Sequence, residues 1–231
     1  MASLPQSRSR LSAPPVYSTA EEIAHSVTHG FGALLAVGGL AILAARAAIH
    51  GDYLHVLACS VFGVAMLLTY TASTIYHSIP IALLPTAKHV LRAVDQSFVY
   101  VLIAGTYTPF CLLVLPEPMG LPIFVATWTV ALAAIALRAF RAETHERFAL
   151  WLYLGMGWGM LPLFGELSHS LPPMGFKLLV IGGAAYTLGV VFYRQTTLRY
   201  HHAIWHLFTL LGSACHYFAV LLYVIPSGVS A

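Results

Sequence analysis

Charge is what this sequence has least of. Only 8% of its 231 residues are Asp, Glu, Lys or Arg, against about 25% in an ordinary soluble domain. Such a chain has too few solvated groups to cover a water-facing surface and needs lipid as its solvent. The net charge of +3 is small and spread along the chain, so no nucleic-acid partner is expected. Cysteine is scarce as well. Cys59, Cys111 and Cys215 each sit in an apolar stretch, and none forms a CxxC pair. They read as small buried hydrophobes, not as a disulfide framework. The first 18 residues hold no apolar core and do not read as a secretory signal peptide. Residues 1–20 are rich in Ser, Pro and Arg and are expected to be a disordered cytoplasmic tail. Residues 21–231 are expected to form one membrane domain, with no internal repeat of the kind that marks many transporters.

What the sequence does have is long apolar runs. About 20 residues of helix cross a bilayer, and seven blocks qualify, near 27–49, 54–76, 89–114, 120–140, 148–166, 175–193 and 203–225. Helices satisfy their own backbone inside lipid, so the expected fold is all-α, a polytopic bundle of seven transmembrane helices. Lys and Arg set its orientation. Arg8, Arg10, Lys88, Arg92, Arg138, Arg141, Arg147, Arg194 and Arg199 fall on one side, whereas Arg46 and Lys177 fall on the other. The N-terminus is expected in the cytoplasm and the C-terminus outside. Pro109 and Pro162 are expected to kink their helices. Gly155, Gly157 and Gly159 form a small-residue stripe that suits close helix packing, with a substrate groove as the alternative.

The polar residues inside these blocks are few enough to weigh singly. His202 and His206 are spaced i, i+4, which puts both imidazoles on one helix face; the pair suits a metal ion or is merely two interfacial histidines. Ser73 and His77 repeat the spacing, and alone would pass for a Ser bonded to its own helix beside an interfacial His. Asp95 lies about two turns inside the third block, where a carboxylate costs on the order of 2.5–3.5 kcal/mol. It calls for a partner, either a structural ion pair or a functional site. Glu22, His25 and His29 open the first block, where Glu also suits a helix N-terminus.

Depth ties these groups together. With the N-terminus inside, odd spans begin and even spans end at the cytoplasmic face. His29, His77, Asp95, His202 and His206 then share one depth, although spacing selected the pairs and Lys/Arg counts supplied the depth. Three neutral imidazoles suit Zn2+ better than magnesium or calcium, which prefer oxygen. Three protein ligands with one open position is the catalytic pattern for zinc, and the metal lowers the pKa of a bound water toward about 7. Asp95 is expected to orient the water or take its proton, and Ser73 to hydrogen-bond the water or a developing oxyanion.

The segments EEIAHSVTHGFGA (21–33), STIYHS (73–78), LIAGTYTPF (102–110) and HAIWHLFTLLGSACHYFAVLLYV (202–224) resemble the bacterial hemolysin III family. That family is similar to the progestin and adipoQ receptors and, more remotely, to the alkaline ceramidases. The resemblance covers nearly the whole membrane domain. It implies a seven-helix fold with a cytoplasmic N-terminus, and zinc at His77, His202 and His206 with Asp95 and Ser73 close by. Glu22 and His29 match a further motif of the family in the first span. His25 stands where the family commonly has Asn, and Gln96 follows Asp95 where a His is common.

Three functions compete. A zinc-dependent hydrolase acting on a membrane lipid, with an amide bond as one target, would use an open zinc position beside a carboxylate. A membrane sensor or regulator would use zinc only to staple helices. A channel or cytolytic pore would need a polar stripe along one span, and the outer halves of these spans are too apolar for that.

Overall fold

The computed structural model describes residues 15–226, with the side chains of Glu143, Glu146 and Arg147 left aside. The first part of the expected tail, residues 1–14, lies outside the described residues. Among the described residues all regular structure is helical. We number the α-helices α1 (Thr19–His50), α2 (Tyr53–Ser78), α3 (Pro85–Leu113), α4 (Gly120–Phe140), α5 (Ala142–Gly157), α6 (Phe164–Ser170), α7 (Pro173–Arg194) and α8 (His201–Ala219). Seven membrane-crossing segments result, since α5 and α6 together make the fifth.

The first helix starts well before the apolar block that announced it. Ser18 caps it, and the Ser18 and Glu21 side chains bond each other's backbone amides in a capping box. The helix therefore begins at Thr19 and not near residue 27, because capping outweighs the polarity of its first two turns. At 32 residues it is about 48 Å long, more than the roughly 30 Å of a hydrocarbon core. Its polar first turns carry Glu21, Glu22 and His25 at one end of the bundle.

The fifth span is not one helix. After Gly157 the chain passes through a 3₁₀ turn at Leu161–Leu163, which contains Pro162, before α6 begins. The Tyr107 hydroxyl donates to the Met156 carbonyl (2.5 Å) and accepts from the Met160 amide (3.0 Å). It thereby satisfies backbone groups that the break frees within the span. Pro162 thus breaks its helix, whereas α3 runs on through Pro109.

Polarity is inverted relative to a soluble protein. Leu34, Val37, Leu132, Ile181 and Leu211 point outward. Ser73, His77, Lys88, His206 and Thr209 are buried. The apolar core, built around Leu43, Phe62, Phe110, Leu167 and Val220, fills the end of the bundle away from Glu22. All three cysteines are free and buried.

Neighbouring helices pack in chain order, α1 on α2, α2 on α3, α3 on α4 and α4 on α5, and α8 closes back onto α1 and α7. Glycines allow close approach on several helices: a Cβ at Gly63 would meet Leu40 at 2.6 Å and one at Gly105 would meet Ala65 at 2.5 Å. A Cβ at Gly212 would meet the Tyr186 ring at 2.6 Å, and one at Gly182 the His216 ring at 2.5 Å. The packing expected of the Gly155, Gly157 and Gly159 stripe holds only at Gly159, where a Cβ would meet the Tyr107 hydroxyl at 3.3 Å. Space is open around Gly155 and Gly157, and Gly157 lines a cavity. Residues of α5 and α7 line this cavity from two sides, and Trp158 at the end of α5 donates from Nε1 to the Thr187 hydroxyl of α7 at 2.9 Å.

Candidate metal centre

Four helix ends converge where the polar residues gather. The N-terminal turns of α1 bring Glu22, His25 and His29, the last turn of α2 brings His77, the start of α3 brings Lys88, and the start of α8 brings His202 and His206. Tyr200 precedes α8 in a left-handed conformation (φ 60°). Its amide donates to Glu21 Oε1 at 3.2 Å, so the same helix opening that holds Glu22 also anchors the start of α8.

His77, His202 and His206 each offer one ring nitrogen, and these three atoms all lie within 4.8 Å of one another. Their ring centroids are 4.6–5.3 Å apart. His77 and His206 are buried. Their tautomers follow from their partners. His77 Nδ1 lies 2.6 Å from Glu22 Oε2, and an ionised carboxylate only accepts, so Nδ1 carries the hydrogen. His206 Nδ1 lies 3.3 Å from the His25 carbonyl and 3.1 Å from the Thr28 hydroxyl. That hydroxyl already donates to its own helix, so Nδ1 again carries the hydrogen. In both rings the Nε2 lone pair is left for another partner. His77 Nε2 and His202 Nδ1 are buried without a hydrogen-bond partner. Unpartnered buried nitrogens on two of three clustered imidazoles fit a zinc ion. Bonds of 2.0–2.1 Å to zinc would need the nitrogens about 3.4 Å apart, a small closure from this arrangement.

Ser73 and Asp95 line the same cavity of about 410 Å³ as the three histidines. The Ser73 hydroxyl is near enough to interact with the Asp95 carboxylate. Asp95 does not belong to either group of side chains close enough to share an ion among the described residues. Gln96 lines the cavity beside it, with its Oε1 unpartnered.

Two residues near the histidines had signals too weak to assign. His29 stacks on His206, with 3.5 Å between centroids and 9° between planes, and its Nε2 meets the Thr209 hydroxyl at 3.2 Å. His25 is fully buried with neither ring nitrogen hydrogen-bonded. It lies edge-on to His77 and His202 at 4.7 and 4.9 Å. Glu22, His25 and His77 form a second group whose ligand atoms lie within 4.8 Å.

Two further residues were missed. Tyr17, in the segment expected to be tail, packs edge-on against His25 at 4.7 Å and lies tilted beside His202 at 5.5 Å. Burial pushes its hydroxyl well above the ordinary phenol range, so it stays a neutral phenol. Lys88, read from sequence only as a topogenic charge, is 1% exposed and donates to Glu22 Oε1 and to the Tyr76 carbonyl, each at 2.8 Å. The Ser18-x-x-Glu21 capping box was the usable signal. It extends the helix back and places Glu22, His25 and His29 on one face at i, i+3, i+7 spacing.

Comparison with known proteins assigns this arrangement to a family. Residues 17–217 match the family described as "Haemolysin-III related". The chain belongs to the haemolysin-III-related family. It is 40% identical over 210 residues to "Hemolysin-3 homolog" of Bacillus subtilis (strain 168), covering 91% of this chain and 97% of that protein. It is 41% identical over 207 residues to "Hemolysin-3" of Bacillus cereus, covering 90% and 93%. The human "Monocyte to macrophage differentiation factor" is 27% identical over 210 residues, covering 90% and 86%. The seven apolar helices and the family match make the haemolysin-III-related chain a multi-pass membrane protein.

Proposed function

We propose that this haemolysin-III-related protein is a zinc-dependent hydrolase acting on a membrane lipid, with an amide among the candidate scissile bonds and a role in membrane lipid homeostasis. One observation carries the reading. His77, His202 and His206 lie close enough to share an ion, His77 Nε2 and His202 Nδ1 have no hydrogen-bond partner, and all three rings line one cavity with Ser73, Asp95 and residues of α5 and α7. A zinc ion held by His77, His202 and His206 would supply Lewis acidity and acidify water. The protein's own groups do the rest. Asp95 takes a proton from water across the cavity, and the Ser73 hydroxyl orients the carboxylate or donates to an oxyanion. Val99, Leu102, Leu154 and Val190 give the cavity an apolar wall for a lipid chain. Residues of α5 and α7 that line the cavity would flank such a chain.

The experiment is lipid mass spectrometry of the purified protein incubated with membrane extract, with and without a chelator. A lipid class consumed only without chelator supports the hydrolase. Identical lipid profiles in both arms and in a protein-free control would overturn it.

One observation favours a second reading, a non-enzymatic sensor or regulator in which zinc staples the helix ends. His25 lies among the three expected ligands with both ring nitrogens free of hydrogen bonds, and a fourth imidazole donor would close the site.

A further inference from the structure

We propose that Glu22, held in place by Lys88, is the positioning residue that presents His77 to the metal, so that these two side chains tune metal affinity without being ligands themselves. The inference rests on the reading that His77, His202 and His206 hold a metal ion.

The geometry forms a chain of three links. His77 Nδ1 donates to Glu22 Oε2 at 2.6 Å. The other oxygen, Oε1, accepts from the Lys88 ammonium at 2.8 Å. Lys88 is fixed in turn by the Tyr76 carbonyl at 2.8 Å and by the face of the Tyr76 ring, 4.3 Å from the ammonium. Each link restricts the next. The carboxylate has one oxygen committed on either side, so it cannot swing away from the imidazole. The imidazole keeps its hydrogen on Nδ1 and its lone pair on Nε2. A carboxylate behind a ligating histidine orients the ring and raises its basicity, and losing such a partner typically costs about 10–100-fold in metal affinity.

The same contacts argue against a second ion in the group formed by Glu22, His25 and His77. Lys88 already neutralises Glu22, and the His77 nitrogen facing Glu22 carries a hydrogen. A cation there would displace that hydrogen and sit beside a buried ammonium. Glu22 therefore belongs to the support of one metal centre and not to another.

Glu22→Gln tests the role, because it keeps the shape and removes the charge. It also strands Lys88 as a buried, unneutralised ammonium, which destabilises a protein by itself. The double variant Glu22→Gln/Lys88→Met removes that complication. Zinc affinity is read by competition with a chromogenic chelator, and stability by thermal denaturation in detergent micelles. The expected result is zinc affinity about 10–100-fold below wild type in both variants, with melting temperature lowered in Glu22→Gln and recovered in the double variant. Wild-type zinc affinity in the double variant would overturn the proposal, since Glu22 would then serve only to neutralise Lys88. A wild-type protein that binds no zinc overturns the metal reading and this inference with it. That failure is visible in the wild-type arm alone.

Discussion

The His29 ring lies flat on the His206 ring, 3.5 Å between centroids, and its Nε2 is tied to Thr209 one helical turn further along α8. The stack holds the first span against the last at the depth of the candidate centre. It fixes one face of His206 while the Nδ1 contacts with Thr28 and the His25 carbonyl fix its edge. His29→Ala removes a buried ring and leaves a cavity beside His206. The expected cost is about 2–4 kcal/mol of stability, by analogy with buried large-to-small changes. Thermal denaturation in micelles measures it. A melting temperature equal to wild type would show that the stack carries little of the α1–α8 packing.

One zinc per chain is expected in elemental analysis of the purified protein. Alanine at His77, His202 and His206 together should abolish it. His206→Ala alone should weaken binding by at least the roughly 10–100-fold that losing a mere supporting partner costs. X-ray absorption should give zinc–nitrogen distances of about 2.0–2.1 Å. Full zinc occupancy in the triple variant would refute the ligand assignment.

The orientation follows from the nine-to-two division of Lys and Arg, and it has a direct test. An enzymatic reporter fused at the C-terminus should be active only when its chemistry requires the outside of the membrane. Lys88 weakens the count, because it is buried in an ion pair with Glu22 and is not a free loop charge. Without it the division is still eight to two. Cytoplasmic activity of the C-terminal reporter would reverse the topology and place the histidine cluster at the outer face.

The spans were legible in the sequence because lipid imposes a length and a polarity on each. The shared depth of His77, Asp95, His202 and His206 was legible because helical spacing and loop charge are local patterns. What did not show was which helices touch. Glu22 and Lys88 are 66 positions apart, and no local pattern pairs them. Gly155 and Gly157 carry the composition of a packed interface, yet they face open space. Small residues permit a close approach without requiring one. The start of α1 was misplaced for a different reason. Hydropathy sees only the apolar part of a helix, whereas Ser18 and Glu21 extend it through hydrogen bonds.

His25 decides between an open and a closed centre. If it only fills space among the rings, His25→Asn should retain one zinc per chain and shift affinity by less than about tenfold, ~1.4 kcal/mol. Asn is also the residue common at this position in the family that the sequence resembles. If His25 supplies a fourth donor, the same change should release zinc at chelator concentrations that wild type withstands. Chelator titration of the two proteins side by side separates the cases, and zinc loss in the Asn variant would favour the stapling role over the hydrolase.

Asp95 offers the last test, and it separates the enzyme from the staple without knowledge of the substrate. The carboxylate shares the cavity with the histidines but stands outside the group that could share an ion. On the proposed reading, a side chain so placed would act on water or substrate and not on the metal. Asp95→Asn preserves its volume and its hydrogen-bonding reach toward Ser73 while removing a proton acceptor. The expected outcome is unchanged zinc content, a melting temperature near wild type, and activity lower by about 10²–10⁴-fold, the usual contribution of a general base. Were Asp95 instead to close on the metal, zinc content and melting temperature would fall together. Metal analysis and denaturation are therefore measured first, on protein alone, and lipid turnover second. Full zinc, an unchanged melting temperature and undiminished turnover in the Asn variant would remove Asp95 from the chemistry.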